Sequence, residues 1–128
     1  MKPSRIQAVD HVNIEAPPEA AEEIRWFYGE LAELDEIPSA PGAETLLRFR
    51  SADLEVRVHL VSDPCVDPME QRLVIAIPSL FSAKQLLDER HIVWQEFRGL
   101  GWTDRRLALL DPGGNRIELK QQWPEGPF

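Results

Sequence analysis

The feature that most constrains this chain is an internal repeat. His11-Val-Asn-Ile-Glu-Ala-Pro17 lies over Arg72-Leu-Val-Ile-Ala-Ile-Pro78, an offset of 61 (72 − 11). Arg57-Val58-His59-Leu60 lies over Arg116-Ile117-Glu118-Leu119, an offset of 59 (118 − 59), which reads as a small deletion within the second copy. Each copy has the element order β-α-β-β-β. A single copy cannot cover both faces of its own sheet, so pairing two copies is the natural solution. The expected fold class is α+β, with two βαβββ modules in one chain.

Alternation and turn residues place the elements. The first module spans 5–61, a proline-rich and acidic linker 62–70, the second module 71–121, and a tail 122–128. In the strand over 5–16, Val12 and Ile14 fall on one face and His11, Asn13 and Glu15 on the other. Pro17 and Pro18 suit the first turn of a helix. Ala20, Ile24, Phe27, Tyr28 and Leu31 then give it one apolar stripe. Strands are predicted near 34–38, 44–50 and 53–61. The second module opens with a strand over 71–78. A helix capped by Ser79 or Ser82 carries Leu80, Ala83, Leu86 and Leu87. Strands follow near 92–97, 105–110 and 115–121. Asp111-Pro-Gly-Gly-Asn115 reads as a hairpin turn, because Gly and Asn tolerate positive φ.

Bulk composition narrows the partners. At 128 residues the chain is one domain with room for a real core. Its net charge of −8 leaves no basic patch for nucleic acid or an anionic membrane surface, and it suits a cationic guest or a metal. No apolar run approaches the roughly 20 residues needed to cross a bilayer. Cys65 has no cysteine partner and no base beside it in sequence, and the first ten residues lack the apolar core of a signal peptide. A cytoplasmic location is the expectation.

Four segments carry a resemblance. Asp10-His11-Val12-Asn13-Ile14, Trp26-Phe27-Tyr28-Gly29-Glu30-Leu31, Val58-His59-Leu60 and Leu110-Asp111-Pro112-Gly113-Gly114-Asn115-Arg116-Ile117-Glu118-Leu119 resemble motifs of the vicinal-oxygen-chelate (glyoxalase/bleomycin-resistance/extradiol-dioxygenase) superfamily. The resemblance covers about residues 6–121 and departs at Ala32, where the family usually has glycine. It implies a curved, partly open mixed sheet with helices outside, often completed as a homodimer.

The resemblance also implies a site. Family metal ligands project from the first and last strands of each module, which carries over to His11, His59, Arg72 and Glu118. His11, His59 and Glu118 would hold a divalent metal such as Zn, Ni, Mn or Fe, leaving open positions for a vicinal diol or carbonyl. Arg72 stands where histidine is usual. A guanidinium stays protonated and does not ligate, so Arg72 either orients a substrate anion or pairs with Glu118. Glu118 and Arg72 are the expected catalytic groups. Asn13, Arg72 and Trp102 are the expected substrate contacts, with Trp102 on a glycine-flanked lid over 98–104.

Each residue also has a structural reading. His11 is then a hydrogen-bonded histidine, His59 a surface residue, Glu118 one rung of a charge ladder with Arg116 and Lys120, and His91 a helix-end cation. The implied function is a metal-dependent lyase, isomerase or dioxygenase acting on a small oxygen-rich or aromatic molecule. The alternative is a metal-free, drug-sequestering protein.

Overall fold

The computed structural model describes residues 10–52, 54–65, 73–99, 101 and 104–122. Arg72 and Trp102 therefore lie outside the described residues, as does most of the expected lid. Among the described residues no helix is long and apolar enough to cross a membrane.

The chain forms two four-stranded mixed sheets. β1 (Asp10–Ala16), β2 (Asp35–Ile37), β3 (Leu46–Arg50) and β4 (Leu54–Leu60) make the first, in the order β1-β4-β3-β2. β5 (Leu73–Ile77), β6 (Gln95–Arg98), β7 (Arg105–Leu110) and β8 (Arg116–Gln121) make the second, in the order β5-β8-β7-β6. In each, the first strand runs parallel to the last and the other neighbours are antiparallel. The repeated element order thus becomes a repeated topology.

Strand register corrects one sequence expectation. Asp10 sits opposite Leu54 and Leu73 opposite Ile117, a spacing of 44 in both modules (54 − 10 and 117 − 73). The offset of 61 found for the first strands therefore holds for the last strands too. It also relates two backbone hydrogen bonds, Val61 N to Ala16 O and Gln122 N to Ile77 O. The structural counterpart of Glu118 is Arg57, not His59, and His59 corresponds to Lys120. The sequence match of 57–60 over 116–119 was a slip of two residues. A two-residue slip keeps every side chain on its face, so the alternation pattern could not reveal it.

Both sheets bury their apolar phase under a helix. Ile14, Val56, Val58, Leu47 and Phe49 line the first sheet, and Leu73, Ile75, Ile77, Leu107, Leu109, Ile117 and Leu119 the second. The first helical run departs from a plain α-helix. It winds as a 3-10 turn (Pro18–Ala20), an α-helix α1 (Ala21–Arg25) and a π-helical turn (Trp26–Leu31). The wide turn closes with Ala32 N donating to Phe27 O, five residues back. Gly29, a weak helix former, sits in this turn. Its apolar stripe is nonetheless buried as expected at Ile24, Phe27, Tyr28 and Leu31. The second helix, α2 (Leu80–Glu89), is capped by Ser79, whose hydroxyl accepts from Ser82 N at 3.1 Å. It closes at His91, exposed and in the left-handed region (φ 60°).

The Asp111–Asn115 turn ties the two modules together. Gly114 supplies positive φ (93°). Asp111 Oδ1 accepts from Gly113 N and Asn115 N, each at 2.8 Å, so the carboxylate organises its own turn. Its Oδ2 accepts from the buried Tyr28 hydroxyl at 2.6 Å, and Asn115 Nδ2 donates to Glu15 O at 3.0 Å. A Cβ on Gly113 would come within 2.8 Å of Ala16 Cβ, so only glycine lets the turn seat against the end of β1. A further tie is Arg90, whose guanidinium stacks 4.0 Å from the Trp26 ring.

Candidate functional site: the polar sheet faces

Opposite the helices, each sheet presents a second face. On the first it carries His11, Asn13 and Glu15 from β1, Glu55, Arg57 and His59 from β4, and Arg48 and Arg50 from β3. On the second it carries Val74 and Ala76 from β5, Arg116, Glu118 and Lys120 from β8, and Arg106, Ala108 and Leu110 from β7. The alternation read from sequence therefore places His11, Asn13, His59 and Glu118 on polar faces, but on two different sheets.

The centre of the first face is a three-residue ion cluster. Glu55 is only 5% exposed, and its Oε2 accepts from Arg48 Nε at 2.7 Å and Arg57 Nε at 2.9 Å. The bond from Arg48, then that from Arg57, holds the carboxyl down to about 2. A buried carboxylate needs such partners, since removing it from water unpaired costs several kcal/mol (~). His59 Nε2 meets Asn13 Oδ1 at 2.9 Å, and His11 is exposed beside Glu55 in the ladder.

The second face repeats the motif with charges exchanged. Glu118 is 1% exposed. Its Oε1 accepts from Arg106 Nη1 at 3.1 Å, and its Oε2 lies 3.7 Å from Arg116 Nη2. Arg106 also donates to both oxygens of Asp104, at 3.1 and 3.2 Å. By the offset of 61, Glu55 corresponds to Arg116 and Arg57 to Glu118. Lys120 lies directly opposite Arg106 on the ladder.

The three residues expected to bind metal do not gather. Among the described residues, no group of three or more His, Cys, Asp or Glu side chains is arranged to hold a metal ion. His59 is turned to Asn13, and Glu118 to arginines. Residue type alone pointed to the imidazoles and overlooked Arg48, Glu55, Arg57 and Arg106. The available signal was the alternation Glu55-Arg57 against Arg116-Glu118, legible once the register is right. The cationic guest suggested by the net charge is also not supported by these faces. The acids that dominate the chain lie largely elsewhere, and the polar faces concentrate Arg48, Arg50, Arg57, Arg106, Arg116 and Lys120. Cys65 is exposed, with its backbone N–H donating to Glu15 Oε1 at 2.7 Å.

Between the modules, the β3–β4 turn and β5 enclose a cleft of about 580 Å³. Leu54, Val74, Ile75 and Ala76 form its apolar wall, and Ser51, Lys120 and Gln122 supply polar groups.

No family model and no curated protein matches this chain. Solved structures do. A protein described as of the glyoxalase family, from Bacillus anthracis, is 25% identical with a TM-score of 0.73, covering 94% of this chain and 99% of its own. A glyoxalase/dioxygenase from Nostoc punctiforme is 19% identical with a TM-score of 0.68, covering 97% of each chain. An antibiotic binding protein from a Streptomyces species is 21% identical with a TM-score of 0.64, covering 94% of this chain and 99% of its own.

Proposed function

From a chain with the fold of the vicinal-oxygen-chelate superfamily, we propose a small-molecule-binding protein that works without a metal and receives its ligand on the polar, arginine-bearing side of the sheets. One observation carries this reading: both buried carboxylates on those faces are engaged by arginines, Glu55 by Arg48 and Arg57, Glu118 by Arg106 and Arg116. The fold family implies a divalent metal, and the described residues do not fit one. A metal beside these guanidiniums would meet repulsion, and a carboxylate already bridged by arginine is a poor ligand. Arg57 stands at the counterpart of Glu118, so the module symmetry supplies a cation where a second carboxylate would serve a metal. The same guanidiniums suit a carboxylate or another oxygen-rich anion.

Two measurements test this. Chelator-treated protein titrated with Zn, Ni, Mn or Fe should show no stoichiometric uptake by calorimetry. Small organic acids should raise the melting temperature more than amines of matching shape. One-to-one metal binding that is lost in both His11→Ala and Glu118→Gln would overturn the proposal and restore the metal-dependent lyase, isomerase or dioxygenase. A homodimer belongs to the same proposal, and a purely monomeric gel-filtration profile would remove it.

A further inference from the structure

The two inter-module seats are related by the repeat but are built differently. The Asp111–Asn115 turn fills its seat against the end of β1 with Tyr28, Asp111 and Asn115. In the other module, Arg50 pairs with Glu55 across the hairpin, whereas Leu110 pairs with Arg116, so the β3–β4 turn is one residue shorter. The cleft of about 580 Å³ lies between this turn and β5. That volume falls within the range of small-molecule pockets, roughly 300–1,000 Å³.

Among its described lining residues the cleft has one charged group. Lys120 is half-buried at its edge. Across the β7–β8 ladder it faces Arg106, and like charges directly opposite destabilise a sheet. Arg106 is compensated by Asp104 and Glu118. Among the described residues no carboxylate stands within ion-pair distance of Lys120, whereas Lys84, the other lysine with a described side chain, is paired to Glu96 at 2.8 Å. Around Lys120 the wall is small and apolar: Ala76 beside it on β5, then Val74 and Leu54.

We infer that this cleft is a binding site for a small monocarboxylic acid with a compact apolar body, its carboxylate on Lys120 and its body against Leu54, Val74 and Ala76. Ser51 and Gln122 supply the remaining hydrogen bonds. The inference rests on the proposed metal-free binding function and names the ligand class and the seat. An anion here relieves the Lys120–Arg106 opposition, and a neutral analogue does not. Alanine at 76 is what leaves room for the ligand body.

Benzoate and its neutral isostere benzamide, titrated into the full chain by calorimetry, test the assignment. Benzoate should bind at least about tenfold more tightly than benzamide, the scale expected for one charge-assisted contact. Lys120→Met should erase that preference, Lys120→Arg should retain it, and Ala76→Trp should block both compounds. Each variant is first shown to melt as the unmodified chain does, and Lys120→Arg controls for local disruption. Absence of benzoate binding, equal binding of both compounds, or a preference untouched by both Lys120→Met and Ala76→Trp would overturn it. Metal uptake is read separately, so failure of the metal-free reading and failure of this site remain distinguishable.

Discussion

The two polar faces are the same architectural unit put to different use. On the first sheet the charges close on one another: Arg48 and Arg57 share Glu55, and His59 meets Asn13. On the second, Arg106, Arg116 and Lys120 surround one buried Glu118, with Asp104 at the rim and Ala76, Ala108 and Val74 between them. At two equivalent positions the charge is reversed, Glu55 against Arg116 and Arg57 against Glu118. Large, mutually satisfied side chains make the first face part of the stabilising structure. Small residues around Lys120 leave the second face room that the first lacks. Duplication of a fold unit thus does not duplicate its chemistry: the exchanged pair keeps the local charge sum and changes which residues pair.

The comparison is broken most forcefully at the seams. Asp111→Ala removes the acceptor for Tyr28 Oη, Gly113 N and Asn115 N at once. It should lower unfolding free energy by about 3 kcal/mol. Ser51→Ala, in the turn at the opposite seam, should change it by less than about 0.5 kcal/mol. Urea denaturation of both variants checks this, and equal effects would mean the seams are equivalent after all.

A middle-sized effect separates the buried carboxylates by pH. Arg48 and then Arg57 hold Glu55 down to about 2, from an ordinary 4.5, so its contribution is full above pH 4.5 and is lost as pH falls toward 2. Burial pushes Asp111 upward despite the Tyr28 hydrogen bond, so its contribution is greatest at low pH and fades as pH rises through its folded value. Glu55→Gln should therefore cost about 2 kcal/mol near pH 7 and flatten the acid limb of the stability curve. An unchanged limb in that variant would show that the Arg48–Glu55–Arg57 cluster does not set it.

A small effect is also expected at His59. Its contact with Asn13 is exposed, so His59→Ala should cost at most about 1 kcal/mol and leave ligand affinity unaltered. A large loss of binding would put the first face back into the site.

Much of the fold was legible because period and punctuation are local properties. The apolar stripe at Ile24, Phe27, Tyr28 and Leu31, the Ser79 cap and the glycine-rich turn each announce themselves within a few residues. The polar phase of β1, β4 and β8 was equally readable. The π-helical turn was not, since the stripe of an α-helix and of this wider run differ by a fraction of a residue. Nor was the Tyr28–Asp111 bond, which joins residues from different modules.

The sequence by itself determined the two-module α+β architecture and which side chains turn away from the core, because alternation and helical spacing follow from backbone geometry alone. Only the tertiary structure decided the register between strands, and with it that Glu55 and Glu118 meet arginines and His59 meets Asn13. Partner choice across a ladder depends on which residue stands opposite which, and a slip of two preserves every facing pattern while changing every partner.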